Sequence, residues 1–170
     1  MVYEDKRFYH KETCHLEHLK AKAATQKENE EWDDLYQYII KLHDLVVLPK
    51  GNITRLKDLR SGFVMKNGKK VKQWRTGPDF NLMLDAYKLS EDSIRWCIKN
   101  KLDGSNDVKA VNYGISIMID KLNEANERKK NRQRQLEQIQ LESKNTKGIT
   151  NYEVIYKPKS ENDNDISEFL

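Results

Sequence analysis

Apolar and polar positions alternate along this chain in periods that predict a mainly α-helical protein. Residues 30–43 carry Trp32, Leu35, Tyr36, Ile39, Ile40 and Leu42 three and four apart, a broad apolar face that predicts an amphipathic helix. Asp33 and Asp34 fall in its first turns, where the helix dipole favours anions. Leu45 to Pro49 and Gly51 predict a short extended turn after it. Asn52 then suits the cap of a second helix over 53–60, with Ile53, Leu56 and Leu59 inward and Gly62 as its stop. Arg55, Lys57 and Arg60 fall on its outer face. A third helix starts near Pro78 and runs to residue 88, burying Phe80, Met83, Leu84 and Tyr87. Ser90 is placed to cap a fourth, with Glu91 and Asp92 in its first turn and Ile94, Cys97 and Ile98 inward.

The longest periodic stretch is 106–143. Its first half carries Val108, Val111, Ile115, Met118, Ile119 and Leu122 in a buried helical stripe. In its second half the stripe stops and cations take over, at Arg128, Lys129, Lys130, Arg132 and Arg134. Leu136, Ile139 and Leu141 are apolar positions in this otherwise solvated half, with no predicted neighbour to cover them.

Period two replaces the helical period at 63–74. Asn67-Gly68 supplies the positive backbone angles of a type I′ turn, and the flanking residues alternate, which predicts a β-hairpin. Lys66, Lys69, Lys70 and Lys72 surround its tip and Arg75 follows it, in the manner of a wing that tracks a phosphate backbone. An ordinary solvated hairpin satisfies the same pattern. Trp74 either stacks on an unpaired base or closes the hairpin onto the core, and closure is the expected role. A further short strand is expected over 149–156.

The expected architecture is thus a small helical bundle with one short basic β-hairpin, a long protruding C-terminal helix and flexible tails. Its parts are a polar N-terminal arm (1–29), a helical core (30–127), a basic helix extension (128–144) and a short strand with an acidic tail (145–170). Within the arm, 21–29 reads as a polar helical lead-in, and Tyr3, Phe8 and Tyr9 are its candidate anchors.

Charge sharpens this picture. Of 27 acidic residues, Glu161, Asp163, Asp165 and Glu168 fall in 160–170, which has no cation, so the rest carries 31 cations against 23 anions. A basic body fits DNA, single- or double-stranded, or an acidic protein surface; equally, such charge keeps a protein soluble. Phe169 and Leu170 end the acidic tail as a candidate protein-docking pair, against a plain disordered tail.

The chemistry-bearing residues are few. No Gly-rich phosphate loop, HExxH, GxSxG or paired CxxC occurs, so no enzymatic activity and no cofactor are expected. His10, Cys14 and His18 could share a metal if 10–18 is helical, but no second Cys/His pair follows; no metal is expected. Cys97 reads as a buried structural thiol. With two cysteines, no apolar leader at the start and no membrane-length apolar run, the expected compartment is the cytoplasm.

One segment resembles a known family. Leu89 to Ile94 and on to Lys99, followed by Val111 to Leu122 with Tyr113, Ile115, Ile119 and Leu122, is similar to the DnaD-like replication proteins of low-GC Gram-positive bacteria and their phages. The likeness spans about residues 79–127, and residues 123–126 replace the tryptophan usual at the end of that motif. It implies a phage or mobile-element DNA-binding replication accessory. Three readings follow. The first is DNA binding through the hairpin and the basic helix. The second is a protein-binding inhibitor or adaptor, of the anti-defence or host-takeover type, meeting a host nucleic-acid-processing complex through Leu136, Ile139 and Leu141. The third is self-association through those same residues.

Overall fold

The computed structural model of the chain describes residues 1–11, 13–66, 68–102 and 106–146. It is mainly helical, with five helices and two separate two-stranded sheets among the described residues. The chain divides into two units, Met1–Lys130 and Asn131–Leu170.

The first unit opens with a hairpin, β1 (Val2–Glu4) and β2 (Arg7–Tyr9), followed by α1 (Cys14–His43). The polar N-terminal arm, with its helical lead-in expected over 21–29, thus takes the form of a hairpin and the first half of α1. The turn between the strands uses Asp5 and Lys6, both at positive φ (48° and 63°), where the sequence offers no glycine to announce it. The first half of α1 has no apolar stripe. Its helicity follows from Ala21, Ala23, Ala24 and the long charged side chains around them, all good helix formers. Its second half buries Leu35, Ile39 and Leu42, and Asp44 ends it in the left-handed conformation.

Next come α2 (Lys50–Arg60), the antiparallel pair β3 (Phe63–Lys66) and β4 (Lys69–Lys72), α3 (Phe80–Leu89), α4 (Glu91–Lys101) and α5 (Asp107–Thr146). Leu56 and Leu59 of α2, Phe80, Met83 and Tyr87 of α3, and Ile94 of α4 close the core with Val111, Ile115, Met118 and Leu122 of α5. Trp32 meets Phe80 edge-on at 5.1 Å between ring centroids, and the Tyr38 hydroxyl donates to Glu91 at 2.7 Å, tying α1 to α3 and α4. Burial and the neighbouring Glu91 carboxylate push the Tyr38 phenol well above its usual value.

Two expected caps take other roles. Asn52 is not a cap: α2 begins earlier, and Asn52 is fully buried inside it, donating to the Val108 carbonyl at 3.3 Å. Ser90 does precede α4, but its hydroxyl turns back to the Ala86 carbonyl at 2.7 Å. A side chain that bonds backwards closes the end of α3 instead of opening α4. The cap that forms is Asp79, which accepts from the Leu82 amide at 2.7 Å to start α3.

His43, Tyr87 and Gly114 meet where α1, α3 and α5 cross. A methyl group on Gly114 would stand 3.0 Å from His43 Nε2 and 3.3 Å from the Tyr87 hydroxyl oxygen. Both ring nitrogens and that hydroxyl are buried without a hydrogen-bond partner among the described residues. Burial pulls the His43 pKa from 6.5 down to about 4. The unfolded chain therefore binds this proton more readily than the folded one. Stability is full above pH 6.5 and falls as pH drops towards 4, by on the order of 2 kcal/mol for this group with its partial solvent access. Urea unfolding at pH 7 and pH 4.5 should show the acid loss reduced by that amount in His43→Leu relative to wild type.

In the second unit, described to Thr146, the chain is helical and every side chain from 131 to 144 is exposed. The strand expected over 149–156 and the tail over 160–170, with Phe169 and Leu170, lie outside the described residues.

Candidate nucleic-acid interface

The hairpin β3–β4 is placed by its base. Gly62 follows α2 with φ of 86°, and its carbonyl accepts from the amides of Gln73 (2.9 Å) and Trp74 (3.2 Å). Three residues later Gly77 lies against the end of α2, its amide donating to the Arg60 carbonyl at 3.1 Å. The excursion from Gly62 to Gly77 thus leaves and rejoins one helix end.

Register sorts the lysines. Phe63 faces Lys72 and Met65 faces Lys70 across the ladder, and Lys66 faces Lys69 beside the turn. Cross-strand partners share a face, so Lys70 and Lys72 lie over Phe63, with ammonium groups 4.6 and 5.4 Å from its ring centre. Lys70 is also held at 2.6 Å by Asp58 of α2, which neutralises it. Lys66, Lys69, Lys72 and Arg75 have no ion-pair partner among the described residues. Trp74 is 36% exposed and outside the buried core, so the closure expected of it does not occur; its backbone closes the hairpin instead.

Beside this hairpin, between it, α2 and α5, lies a groove of about 560 Å³. Its apolar wall includes Leu59, Phe63, Met65 and Ile119, and its polar wall Arg55, Asp58 and Asn112. Arg55, expected on an outer solvated face, is clamped onto α5. Its guanidinium donates to the Asn112 carbonyl (2.8 Å), the Asn112 side chain (2.9 Å) and Ser116 Oγ (3.0 Å). Desolvation lowers its pKa, which for a guanidinium leaves a fixed, half-buried cation in the groove wall. No sequence signal joins Arg55 to Asn112, 57 positions away.

The basic stretch of α5 is partly self-neutralised. Arg128 pairs with Glu124 (2.7 Å), Lys129 with Asp79 (3.2 Å) and Lys130 with Glu127 (3.5 Å). All three sites belong to the first unit. Arg132 and Arg134, in the second, have no ion-pair partner among the described residues. Leu136, Ile139 and Leu141 of that unit are 54, 60 and 61% exposed. Trp96 on α4, which the periodicity leaves off the inward face, is also exposed, with Lys101 over its ring.

The grouping of His10, Cys14 and His18 that their spacing offers, at which no metal is expected, does not form. Among the described residues, Glu4, Asp5 and His18 bring their ligand atoms within 4.8 Å of one another, and Cys14 is exposed outside that group.

The family model of SPbeta prophage protein YorH matches residues 1–168. The chain belongs to this prophage protein family. The phage side of the sequence expectation therefore stands, and the family is the YorH one over the whole chain, not the DnaD-like one. No curated protein and no solved structure matched the chain. No helix among the described residues is long and apolar enough to cross a membrane.

Proposed function

We propose that this prophage protein is a non-enzymatic, cytoplasmic nucleic-acid-binding protein that acts as an accessory to DNA replication. The observation that carries the reading is the hairpin: Lys66, Lys69, Lys72 and Arg75 gather beside one turn with no carboxylate among the described residues to neutralise them. Cations left unpaired on an exposed ribbon suit a phosphate backbone, where each contact releases counterions. Trp74, partly exposed beside the hairpin base, supplies a ring on which an unpaired base can stack. Contacts of this kind bind with strong salt dependence and weak sequence preference. The replication role rests on the resemblance of residues 79–127 to the DnaD-like proteins.

A second reading is favoured by Leu136, Ile139 and Leu141, each more than half exposed on a helix rich in charge. Leu136 and Ile139, three apart on one face of that helix, fit a protein partner, either a host nucleic-acid-processing complex that the phage protein inhibits or adapts, or a second copy of this chain.

Titration of fluorescent single- and double-stranded oligonucleotides across a salt series separates the two. Under the first reading affinity falls steeply with salt. Joint replacement of Arg128, Lys129, Lys130, Arg132 and Arg134 with Gln should lower the slope mainly through Arg132 and Arg134, since the other three already have carboxylate partners. Absence of binding at low salt sinks the nucleic-acid reading. Loss of a stoichiometric protein partner in Leu136→Asp/Ile139→Asp, with oligonucleotide binding absent throughout, would establish the second.

A further inference from the structure

The N-terminal hairpin meets α1 through a polar cluster and the Tyr9 ring. Tyr3 and Phe8, its large apolar side chains, stack on each other at 4.8 Å and remain 62 and 73% exposed. A two-stranded hairpin of three-residue strands has little stability of its own. What joins it to the helix is a cluster of charged and imidazole groups. His15 Nε2 lies 2.8 Å from Glu4 Oε2, and His18 Nε2 lies 3.1 Å from Asp5 Oδ2. Lys22 donates to both carboxylates, at 3.2 Å to Glu4 and 3.1 Å to Asp5.

We propose that Glu4, Asp5, His15 and His18 form a binding site for a divalent transition-metal ion of the zinc class, which staples the hairpin to α1. The donor set is two imidazole nitrogens and two carboxylates, a combination that suits zinc and disfavours magnesium or calcium. The distances fit. Metal–ligand bonds of about 2.0–2.2 Å in a tetrahedron place ligand atoms about 3.4 Å apart. The donor atoms of Glu4, Asp5 and His18 already lie within 4.8 Å of one another, and His15 touches Glu4. Closure onto an ion draws the donor atoms of Glu4, Asp5 and His18 together, and His15 joins them through its contact with Glu4.

The surroundings of the cluster suit a cation. The two carboxylates carry two negative charges, and Lys22 returns only one of them. The Lys22 ammonium bridges them where a cation belongs, and its side chain is half exposed and free to swing out. Tyr9 supplies the outer support that a metal-binding histidine requires. Its hydroxyl lies 3.3 Å from His18 Nδ1 and its ring stacks on the imidazole at 4.5 Å, which fixes the ring with Nε2 towards Asp5. Finally, consecutive positive φ at Asp5 and Lys6 is a strained turn that non-glycine residues adopt at a cost, and it sets Asp5 beside His18.

The test uses the full chain, stripped with a chelator and titrated with zinc by calorimetry. One ion should bind per chain, magnesium should not compete, and His18→Ala or Asp5→Asn should weaken binding at least tenfold. Tyr9→Phe should weaken it about tenfold through loss of the outer hydrogen bond. Lys22→Ala, which removes the competing cation, should tighten it. His10→Ala and Cys14→Ser should leave it unchanged, and the cobalt form should show ligand-field bands with no thiolate charge-transfer band. Far-UV circular dichroism confirms that each variant keeps its helices, because the core from Leu35 onward lies turns away along α1. Absence of saturable zinc binding, or binding that survives in His15→Ala/His18→Ala, overturns the proposal.

Discussion

Replacing Lys66, Lys69, Lys72 and Arg75 together with Gln should lower affinity for double-stranded DNA on the order of a thousandfold at about 0.1 M salt. The reasoning is counterion release. Each phosphate neutralised adds close to 0.9 to the slope of log affinity against log salt, so four contacts account for a slope change of about 3.6. That change extrapolates to a factor of about 10³ between 1 M and 0.1 M salt. Lys70 is left out deliberately. Asp58 already holds it at 2.6 Å, so Lys70→Gln alone should change the slope by far less than any of the four. A full-sized effect for Lys70 together with none for Lys69 would show that the unpaired charges are not what nucleic acid sees. Fluorescence anisotropy at five or six salt concentrations is sufficient, with urea unfolding to confirm that the variant retains its stability. These four side chains are exposed and have no ion pair among the described residues, so their removal leaves the core intact.

Gly77→Ala should be the most destabilising small substitution near the site, at about 3 kcal/mol or more. A Cβ at this position would lie 1.7 Å from the Leu59 carbonyl oxygen and under 3 Å from two backbone carbons. Backbone atoms at the end of a packed helix cannot retreat as a side-chain tip can, so the segment after the hairpin must move away as a whole. Its amide bond to Arg60 goes with it. The contrasting control is Gly51→Ala, where the added methyl would meet nothing within 4 Å and sits inside α2; it should be neutral or stabilising. Denaturant unfolding of the two variants provides the comparison. If Gly77→Ala unfolds at the wild-type midpoint, the close approach of the hairpin base to α2 is wrong.

How far the sequence anticipates these features depends on the range of the interactions involved. Periodicity at Leu35 to Leu42, Phe80 to Tyr87 and Val111 to Leu122 reports burial within single helices, and those helices form. Asn67-Gly68 announces its own turn, and β3 and β4 flank it. The N-terminal hairpin is invisible because Asp5-Lys6 is an unlikely pair for a left-handed turn and its three-residue strands have no alternation to read. The start of α1 is invisible for a different reason, since helicity without a buried face leaves no stripe. At the candidate interface the cations were legible as residue types, but their neutralisation was not. Asp58 and Lys70 are twelve positions apart, Asp79 and Lys129 fifty, and only packing brings each pair together. The groove was illegible too, because Arg55 reads as a solvated position until α5 is laid against α2.

The way the hairpin excursion begins and ends on the last turn of α2 bears on how this protein can change over generations. Gly62 and Gly77 anchor both ends of the segment to the same carbonyl-rich helix terminus. Everything between them is tethered at one place, so the cost of lengthening the tip grows only as the logarithm of the added residues, about 0.6 kcal/mol for each doubling. Residues can be inserted, deleted or recharged around Gly68 while the helices beneath keep their register. The two glycines are the fixed frame, and the tip they hold is a cassette in which a prophage lineage can alter what it grips without rebuilding the body that presents it.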